Sequence, residues 1–236
     1  MKIYIIQHDR WITPGEYLRW AERNGHDVRM IRRCDFNPLP EDTADMLVIL
    51  GGIMCPDTTS DEVEWFDAEA EMECIRQHSA EGRIVIGACL GAQLMGDALG
   101  APYGKSPERE VGPVMVHLTE EGREDPLLRD FPDEFFGGEW HNDMPGLTED
   151  SVILAYSEGC PRQIVRYGEY LYGFQTHMEF DRDIVAAGIA NSGGSLHHEG
   201  RFVQTEEQLL AFDYSGMNGL LSGFLDRIAA DYLSGK

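Results

Sequence analysis

The sequence is poor in positive charge and in cysteine. Only 19 of its 236 residues are Lys or Arg, against 42 Asp and Glu, so the formal net charge at pH 7 is −23. Nucleic acids and anionic membranes are bound by patches of Lys and Arg, so this balance argues against both as partners. The five cysteines are odd in number, irregularly spaced and contain no Cys-x-x-Cys pair. That pattern excludes a disulfide framework and a cysteine-rich zinc site.

Long apolar runs are also missing. The N-terminal apolar run becomes polar at Gln7, which makes it too short for a signal-peptide core, and no stretch approaches membrane-spanning length. Together with the absence of a disulfide framework, this predicts a cytoplasmic protein. No repeat, low-complexity tract or linker interrupts the chain, and 42% of the residues are hydrophobic. We therefore expect residues 1–236 to form one domain with a sizeable core.

Apolar runs alternate with helical segments along the chain. Strands are predicted at residues 3–6, 28–31, 46–50, 83–88, 114–118, 152–156, 163–167 and 170–175. Helices are predicted from a capping box at Thr13-Pro14-Gly15-Glu16, from Ser60 to about Ser79, from Cys89, from near Asp181 and from a capping box at Thr205. Such alternation is typical of an α/β fold with a parallel sheet, whose ligands bind at the carboxyl ends of the strands.

Cys89 lies where a predicted strand turns into a predicted helix. At a helix N-terminus, unpaired N–H groups and the positive end of the dipole favour a thiolate. A thiolate nucleophile needs a base, and the base needs an orienting acceptor. His177 and Glu179 lie two residues apart and point the same way in an extended chain. Glu179 can therefore hold one imidazole nitrogen while the other nitrogen faces Cys89.

Backbone donors for a reacting carbonyl are predicted beside this cysteine. Gly51-Gly52 follows the third predicted strand, and glycine lets backbone N–H groups approach a ligand closely. The N–H of Leu90, at the start of the helix after Cys89, is the natural second donor of an oxyanion hole.

Three ordered motifs resemble the class I (triad-type) glutamine amidotransferases. They are Gly51-Gly52 after a strand, Cys89-Leu90-Gly91-Ala92-Gln93, which fits Cys-x-Gly-x-Gln, and Gly173-Phe174-Gln175-Thr176-His177-Met178-Glu179, which fits Gly-x-Gln-x-His-x-Glu. Glu110-Val111-Gly112 and His141-Asn142-Asp143 add further matches. The resemblance spans about Ile3 to Phe180 and is similar above all to the amidotransferase domain of GMP synthase and its free-standing relatives.

The resemblance implies a flavodoxin-like, three-layer α/β sandwich, with a mostly parallel central sheet and helices on both faces. It also implies a Cys–His–Glu triad in which Cys89 is the nucleophile, His177 the general base and acid, and Glu179 the orienting carboxylate. Gly52 and Leu90 would supply the oxyanion hole. The implied glutamine pocket consists of Gly51, Gln93, His141, Asn142 and Asp143.

The implied reaction is hydrolysis of the glutamine side-chain amide through a γ-glutamyl thioester on Cys89. It gives glutamate and ammonia, or transfers the acyl group to an acceptor, and it needs no cofactor or metal. No phosphate-binding loop is recognised, so an ammonia-accepting synthetase would be a separate chain. Two alternatives remain open: a γ-glutamyl peptide hydrolase or transferase with the same triad, and a partner-gated or inactive regulatory module. A third, another Cys-elbow enzyme such as an acyltransferase, is disfavoured by the His177 motif.

Several other residues invite a functional interpretation. His8, at the end of the first strand, is predicted to face the mouth of the site, for substrate contact or for loop packing. We interpret the other four cysteines as inert: Cys34, Cys55, Cys74 and Cys160. For Cys55, which follows Gly51-Gly52 closely, the alternative that it approaches the site stays open. His197-His198-Glu199 lacks a third spaced ligand and is interpreted as an exposed loop rather than a metal site.

Overall fold

The computed structural model describes residues 1–192 and 200–235. Its strands are β1 (Lys2–Gln7), β2 (Asp27–Arg32), β3 (Met46–Ile49), β4 (Ile84–Ala88), β5 (Gly104–Leu118), β6 (Glu134–Met144), β7 (Val152–Ser157), β8 (Ile164–Gly168), β9 (Leu171–Phe174) and β10 (Phe202–Val203). Its helices are α1 (Gly15–Arg23), α2 (Ala68–Ala80), α3 (Leu90–Ala98), α4 (Glu120–Glu124), α5 (Arg182–Asn191), α6 (Glu206–Ala211) and α7 (Ser215–Ser234). The predicted exposed loop at His197-His198-Glu199 lies outside the described residues.

The described strands form one mixed sheet in the order β10-β5-β7-β8-β9-β4-β3-β1-β2, with β6 paired to β5 beside this path. The part from β2 to β9 is parallel, and the part from β9 through β8 and β7 to β5 and β6 is antiparallel. The predicted parallel sheet is therefore found around Cys89, while β5 to β9 join by antiparallel pairing.

Two apolar cores cover the two faces of the sheet. Along β1, Ile3 and Ile5 point into one core and Tyr4 and Ile6 into the other, as the two-residue period of a strand requires. The first core is closed by residues of α1 and α7, and the second by residues of α2 and α3. The result is a three-layer α/β sandwich, as expected from the sequence. None of the described helices combines the length and the apolar character needed to cross a bilayer.

Three features of the elements differ from the sequence predictions. The capping box predicted at Thr13 is not formed, because Pro14 is the N-cap of α1 and no side chain caps that helix. The acidic helix starts at Ala68 rather than after Ser60, because Asp67 caps it by accepting from the Ala70 N–H. Upstream, Glu62 bonds back to the N–H and hydroxyl of Thr59 and closes a local turn. Strand β6 was not predicted, since its polar, glycine-containing sequence lacks regular apolar alternation.

Candidate active site

Strand pairing between β4 and β9 brings the two predicted catalytic segments together. Ala88 lies opposite Phe174, and the Cys89 N–H donates to the Phe174 carbonyl at 2.7 Å. Cys89 and His177 therefore leave neighbouring strands at the same edge of the sheet. This is the carboxyl edge, where open α/β sheets bind ligands.

Cys89 occupies a strained turn between β4 and α3. Its φ of 50° and ψ of −107° lie outside the favoured regions for a residue with a side chain. A sharp turn of this kind lifts a nucleophile off the sheet at the start of a helix. Close packing keeps the turn in place, because a Cβ on Gly91 would lie only 2.1 Å from the carbonyl oxygen of Ile49.

Cys89, His177 and Glu179 form a connected group. Nδ1 of His177 lies 2.6 Å from Oε1 of Glu179, and Cys89 lies close enough to the imidazole to raise its pKa. A Cβ on Gly51 would lie 2.8 Å from Cε1 of His177 and 3.4 Å from Cβ of Cys89, so only glycine leaves this space open. The structure thus brings the predicted thiol, base, orienting carboxylate and glycine loop to one place.

The surroundings of His177 favour its protonated form. Burial lowers the pKa of His177, but the negative charge of Glu179 and hydrogen bonds with Cys89 and Glu179 outweigh this and raise it to about 10. The ring stacks on Phe180 with centroids 4.0 Å apart. Two backbone hydrogen bonds with Gly138 of β6, at 2.7 and 3.1 Å, fix the main chain. The imidazole of His177 is therefore fixed in position, and its surroundings favour the protonated form.

Gly52 and Leu90, the residues predicted to supply backbone donors, both lie near Cys89. The Leu90 N–H belongs to the first turn of α3, where N–H groups have no partner within the helix. Gly52 borders the same cavity as Cys89. On the far side of the loop, the Gly51 carbonyl lies 3.1 Å from Nδ1 of His8. His8 is fully buried and does not face the mouth of the site, so the prediction of substrate contact is wrong and that of loop packing is correct.

A cavity of about 430 Å³ opens above Cys89. This volume falls within the range typical of small-molecule sites. Its apolar wall is formed by Trp11, Ile12, Met54, Trp140, Phe180 and Ile184. Arg109 brings a positive charge to the wall. Cys55 also lines the wall, which confirms the alternative that Cys55 approaches the site.

Four of the five predicted pocket residues border the cavity, and Gly51 is not among the residues that line it. Gln93, His141, Asn142 and Asp143 all border the cavity. Gln93 donates from Nε2 to Oε1 of Gln175 at 3.1 Å and is therefore held against the sheet. Asp143 pairs with Nζ of Lys105 at 2.7 Å. Asn142 is exposed at the rim, whereas His141 points down into a buried polar cluster.

That buried cluster holds His141 between two carboxylates. Nε2 of His141 lies 3.2 Å from Oε2 of Glu110 and 3.1 Å from Oε2 of Glu139. Burial lowers the pKa of His141, but the bonds to Glu110 and Glu139 outweigh this and raise it to about 10. Burial raises the pKa of Glu139. These contacts are close ion pairs rather than well-aligned hydrogen bonds, because both ring nitrogens of His141 and both carboxylate oxygens of Glu139 lack a partner of hydrogen-bonding geometry.

Glu110, His141 and Cys160 are the described residues whose ligand atoms could surround a cation, since those atoms lie within 4.8 Å of one another. Glu110, however, already accepts from Ser157 Oγ and Gln163 Nε2, both at 2.7 Å. His141 in turn pairs with Glu139, which lies outside that set of three. We interpret the group as an ion-pair cluster that supports the cavity floor.

Sequence reasoning missed several residues that shape the site. Glu139 lies in the unpredicted strand β6, and Glu71, which pairs with His8, lies 63 residues away from it in sequence. Tyr17 is buried near Glu179, and burial followed by that carboxylate's charge raises the pKa of Tyr17 well above its ordinary value. Arg109 lies on the cavity wall and directly precedes the Glu110-Val111-Gly112 motif. That motif was the local sequence pattern from which this part of the wall could have been predicted.

Known proteins are similar to this chain over most of its length. The family model "Glutamine amidotransferase class-I" matches residues 19–184, more than half of the chain. The glutamine amidotransferase-like protein YfeJ of Salmonella typhimurium is 44% identical over 232 residues, covering 97% of each chain. The glutamine-hydrolyzing GMP synthase subunit of Ignicoccus hospitalis is 30% identical over 165 residues, covering 68% of this chain and 80% of that protein.

Solved structures show the same fold. The crystal structure of SMU.1228c superposes with a TM-score of 0.95 at 44% identity, over 97% of this chain and 100% of that chain. A glutamine amidotransferase of Thermotoga maritima superposes with a TM-score of 0.84 at 21% identity, over 97% of each chain, and supports the fold alone. The sandwich is therefore the flavodoxin-like fold expected from the motifs.

Proposed function

The chain belongs to the class I glutamine amidotransferase family, and from that premise we propose that it hydrolyses the side-chain amide of glutamine through a thioester on Cys89. The observation that carries this proposal is the connected group of Cys89, His177 and Glu179 at the floor of a cavity, with Nδ1 of His177 2.6 Å from Glu179. The proposed products are glutamate and ammonia.

In the first half of the reaction, the Cys89 thiolate attacks the amide carbon of glutamine, and a C–S bond forms. The carbonyl oxygen becomes an oxyanion, which the N–H groups of Gly52 and Leu90 stabilise. One such donor contributes about 3–4 kcal/mol to catalysis in other enzymes. His177 donates its proton to the leaving nitrogen, the C–N bond breaks, and ammonia departs.

In the second half, water replaces ammonia. His177, now neutral, removes a proton from water while the oxygen attacks the thioester carbon. The C–S bond breaks, glutamate leaves, and the thiolate and imidazolium are restored. Glu179 holds the imidazole in one orientation through both halves. The positive charge of Arg109, on the cavity wall, favours a substrate that carries a carboxylate.

A second candidate is hydrolysis or transfer of a γ-glutamyl group from a larger amide. The cavity of about 430 Å³ and its apolar wall favour this candidate, because they offer space and apolar contact for a group beyond the amide nitrogen. The same thioester would form, with an amine as leaving group in place of ammonia. For the glutamine reaction, the relative named as one subunit of GMP synthase suggests a separate ammonia-accepting chain as a partner.

Glutamate release by the purified chain tests these proposals. Free glutamine and γ-glutamyl dipeptides with apolar second residues are supplied in parallel, and Cys89→Ala is compared with Cys34→Ala, which removes a thiol outside the cavity. Loss of the nucleophile should lower turnover by at least about 10³-fold. Cys34→Ala should behave as the unaltered chain.

The substrate that turns over decides between the candidates. Release from glutamine supports the amidotransferase reaction, and release from dipeptides alone supports the γ-glutamyl hydrolase. No release from either substrate, with Cys89 still open to alkylation by iodoacetamide, would contradict both and favour a partner-gated or inactive module.

A further inference from the structure

His8 and Asp9, which follow β1, contact the loop that contains Gly51 and Gly52 from the protein interior. His8 is 0% exposed, and its Nδ1 lies 3.1 Å from the Gly51 carbonyl oxygen. The next residue, Asp9, accepts from the Ile53 N–H at 3.3 Å through Oδ2. His8 therefore contacts the Gly51 carbonyl, just before Gly52, and Asp9 holds the Ile53 N–H, just after it.

The contact with His8 also determines where the Gly52 N–H points. The Gly51 carbonyl and the Gly52 N–H belong to one peptide group, and the described peptide bonds are trans. In a planar trans peptide these two groups point in opposite directions. Since the carbonyl is turned toward His8 in the protein interior, the N–H is turned the other way. Gly52 also borders the cavity above Cys89.

The protonation of His8 follows from its partners. A carbonyl oxygen can only accept, so Nδ1 of His8 carries the proton in this contact. Nε2 lies 2.8 Å from Oε2 of Glu71, which is also 0% exposed. Nε of Arg33 lies 3.5 Å from the other oxygen of Glu71. Glu71 therefore anchors the imidazole while Nδ1 donates to the loop.

Rings on both sides restrict the imidazole. Trp65 stacks near it with centroids 6.5 Å apart, and Phe66 meets it edge-on at 5.9 Å. A Cβ on Gly52 would lie 3.2 Å from Cβ of His8, so the loop rests directly on this side chain. A buried, paired and ring-packed imidazole cannot reach substrate, but it can hold a peptide group in one orientation.

We propose that His8 is a positioning residue whose Nδ1–H bond to the Gly51 carbonyl aims the Gly52 N–H at the oxyanion formed beside Cys89. The inference rests on the proposed function, because the oxyanion belongs to that reaction. Glu71 acts indirectly, because its contact with Nε2 orients the imidazole of His8. Neither residue was assigned a role by the sequence motifs.

Two double variants separate the loop contact from the ion pair. His8→Asn/Glu71→Gln keeps an amide N–H near the place of Nδ1, and His8→Leu/Glu71→Gln has a side chain of similar size without a donor. Both lack the buried His8–Glu71 ion pair, so neither leaves a buried carboxylate without its partner. They differ in the hydrogen bond to Gly51.

We expect the Leu variant to lower kcat by about 10²-fold relative to the Asn variant, with KM nearly unchanged, because the donor acts mainly in the transition state. Alkylation of Cys89 by iodoacetamide displaces iodide and forms no oxyanion, so its rate should be the same in both variants. Equal kcat values, or a parallel loss of alkylation in the Leu variant, would overturn the proposal.

Crystal structures of the two variants give a readout that does not depend on turnover. The Gly51 carbonyl should keep its direction in the Asn variant and rotate in the Leu variant. An unchanged carbonyl in the Leu variant would overturn the proposal even if the unaltered chain hydrolysed glutamine. If the unaltered chain hydrolyses neither glutamine nor γ-glutamyl dipeptides, the proposed function fails, and the carbonyl direction still decides whether His8 positions the loop.

Discussion

Three buried imidazoles surround Cys89 and its loop, and each contacts a buried carboxylate. His8 pairs with Glu71, His177 with Glu179, and His141 with two carboxylates of the cavity floor. Burial lowers the pKa of each imidazole, and its acidic partner outweighs that effect and raises it. Burying a charge is costly unless it is paired. The pairing therefore keeps positive charge inside a strongly acidic protein, next to the thiol.

At this scale, Glu179→Gln tests how the carboxylate acts on His177. The charge of Glu179 is the main factor that raises the pKa of His177 to about 10, so its removal should lower that pKa. We expect the alkaline loss of kcat to move to lower pH, because His177 must hold a proton for the leaving nitrogen. Near neutral pH, kcat should fall by about 10²- to 10⁴-fold. The measurement is kcat against pH with the substrate that turns over.

Glu134→Gln is the matched control for that variant. Glu134 also lies beside an imidazole, with Oε1 3.3 Å from Nδ1 of His117, but the pair is at the surface. The control should keep the profile of the unaltered chain. An alkaline limb that stays in place in Glu179→Gln would show that this carboxylate does not set the protonation of His177.

The elements that carry Cys89 and His177 could be predicted from the sequence, but those that complete the site could not. Strand β4 is a continuous apolar run that ends just before Cys89, and β9 ends within the motif that contains His177, so the local sequence pattern was sufficient. Strand β6 is held by antiparallel pairing along the fifteen-residue strand β5 and by a β-bridge between Gly138 and His177. Partners distant in sequence decide its conformation, and local periodicity does not report them.

The turn into α3 offers a test at the scale of the element. A Cβ on Gly91 would lie 2.1 Å from the Ile49 carbonyl oxygen, a backbone atom that cannot move aside without shifting β3. We expect Gly91→Ala to lower the free energy of unfolding by at least about 2 kcal/mol, as overpacking does. Urea denaturation followed by tryptophan fluorescence measures this change.

Gly219→Ala is the control, since it makes the same substitution in α7. A Cβ at Gly219 meets nothing within 4 Å. Alanine in an open helix position should raise the free energy of unfolding by about 0.5–1 kcal/mol. The two variants should therefore change stability in opposite directions. A neutral Gly91→Ala would contradict the close packing of α3 against β3.

Across the whole molecule, the sheet and its two cores join the ends of the chain. Helix α7 packs with α1 on one face, and Trp20 of α1 donates from Nε1 to Asp226 of α7 at 2.7 Å. Asn218 of α7 also donates to the carbonyls of Met178 and Phe180, on either side of Glu179. We therefore propose that residues 1–236 fold as one cooperative unit, with the C-terminal helix supporting the site.

The stability of that unit should fall as pH rises above neutrality. His141 and His177 have a pKa of about 10 in the folded protein, against an ordinary value of 6.5. The folded state therefore keeps protons that the unfolded state releases, so the stabilisation is complete below about pH 6.5 and is lost as pH rises toward 10. Each group can contribute a slope of up to about 1.4 kcal/mol per pH unit.

Urea denaturation between about pH 7 and about pH 9.5, at constant ionic strength, measures this dependence. Fluorescence and circular dichroism should report one coincident transition if the chain unfolds as a unit. His141→Gln should reduce the slope because one of the buried imidazoles with a raised pKa is gone. His26→Gln alters a partly buried imidazole whose pKa is lowered, mainly by burial, and should leave the slope in this range unchanged. A stability independent of pH would mean that neither imidazole holds its proton in the folded protein, and the proton donor proposed for ammonia release would have to be sought elsewhere.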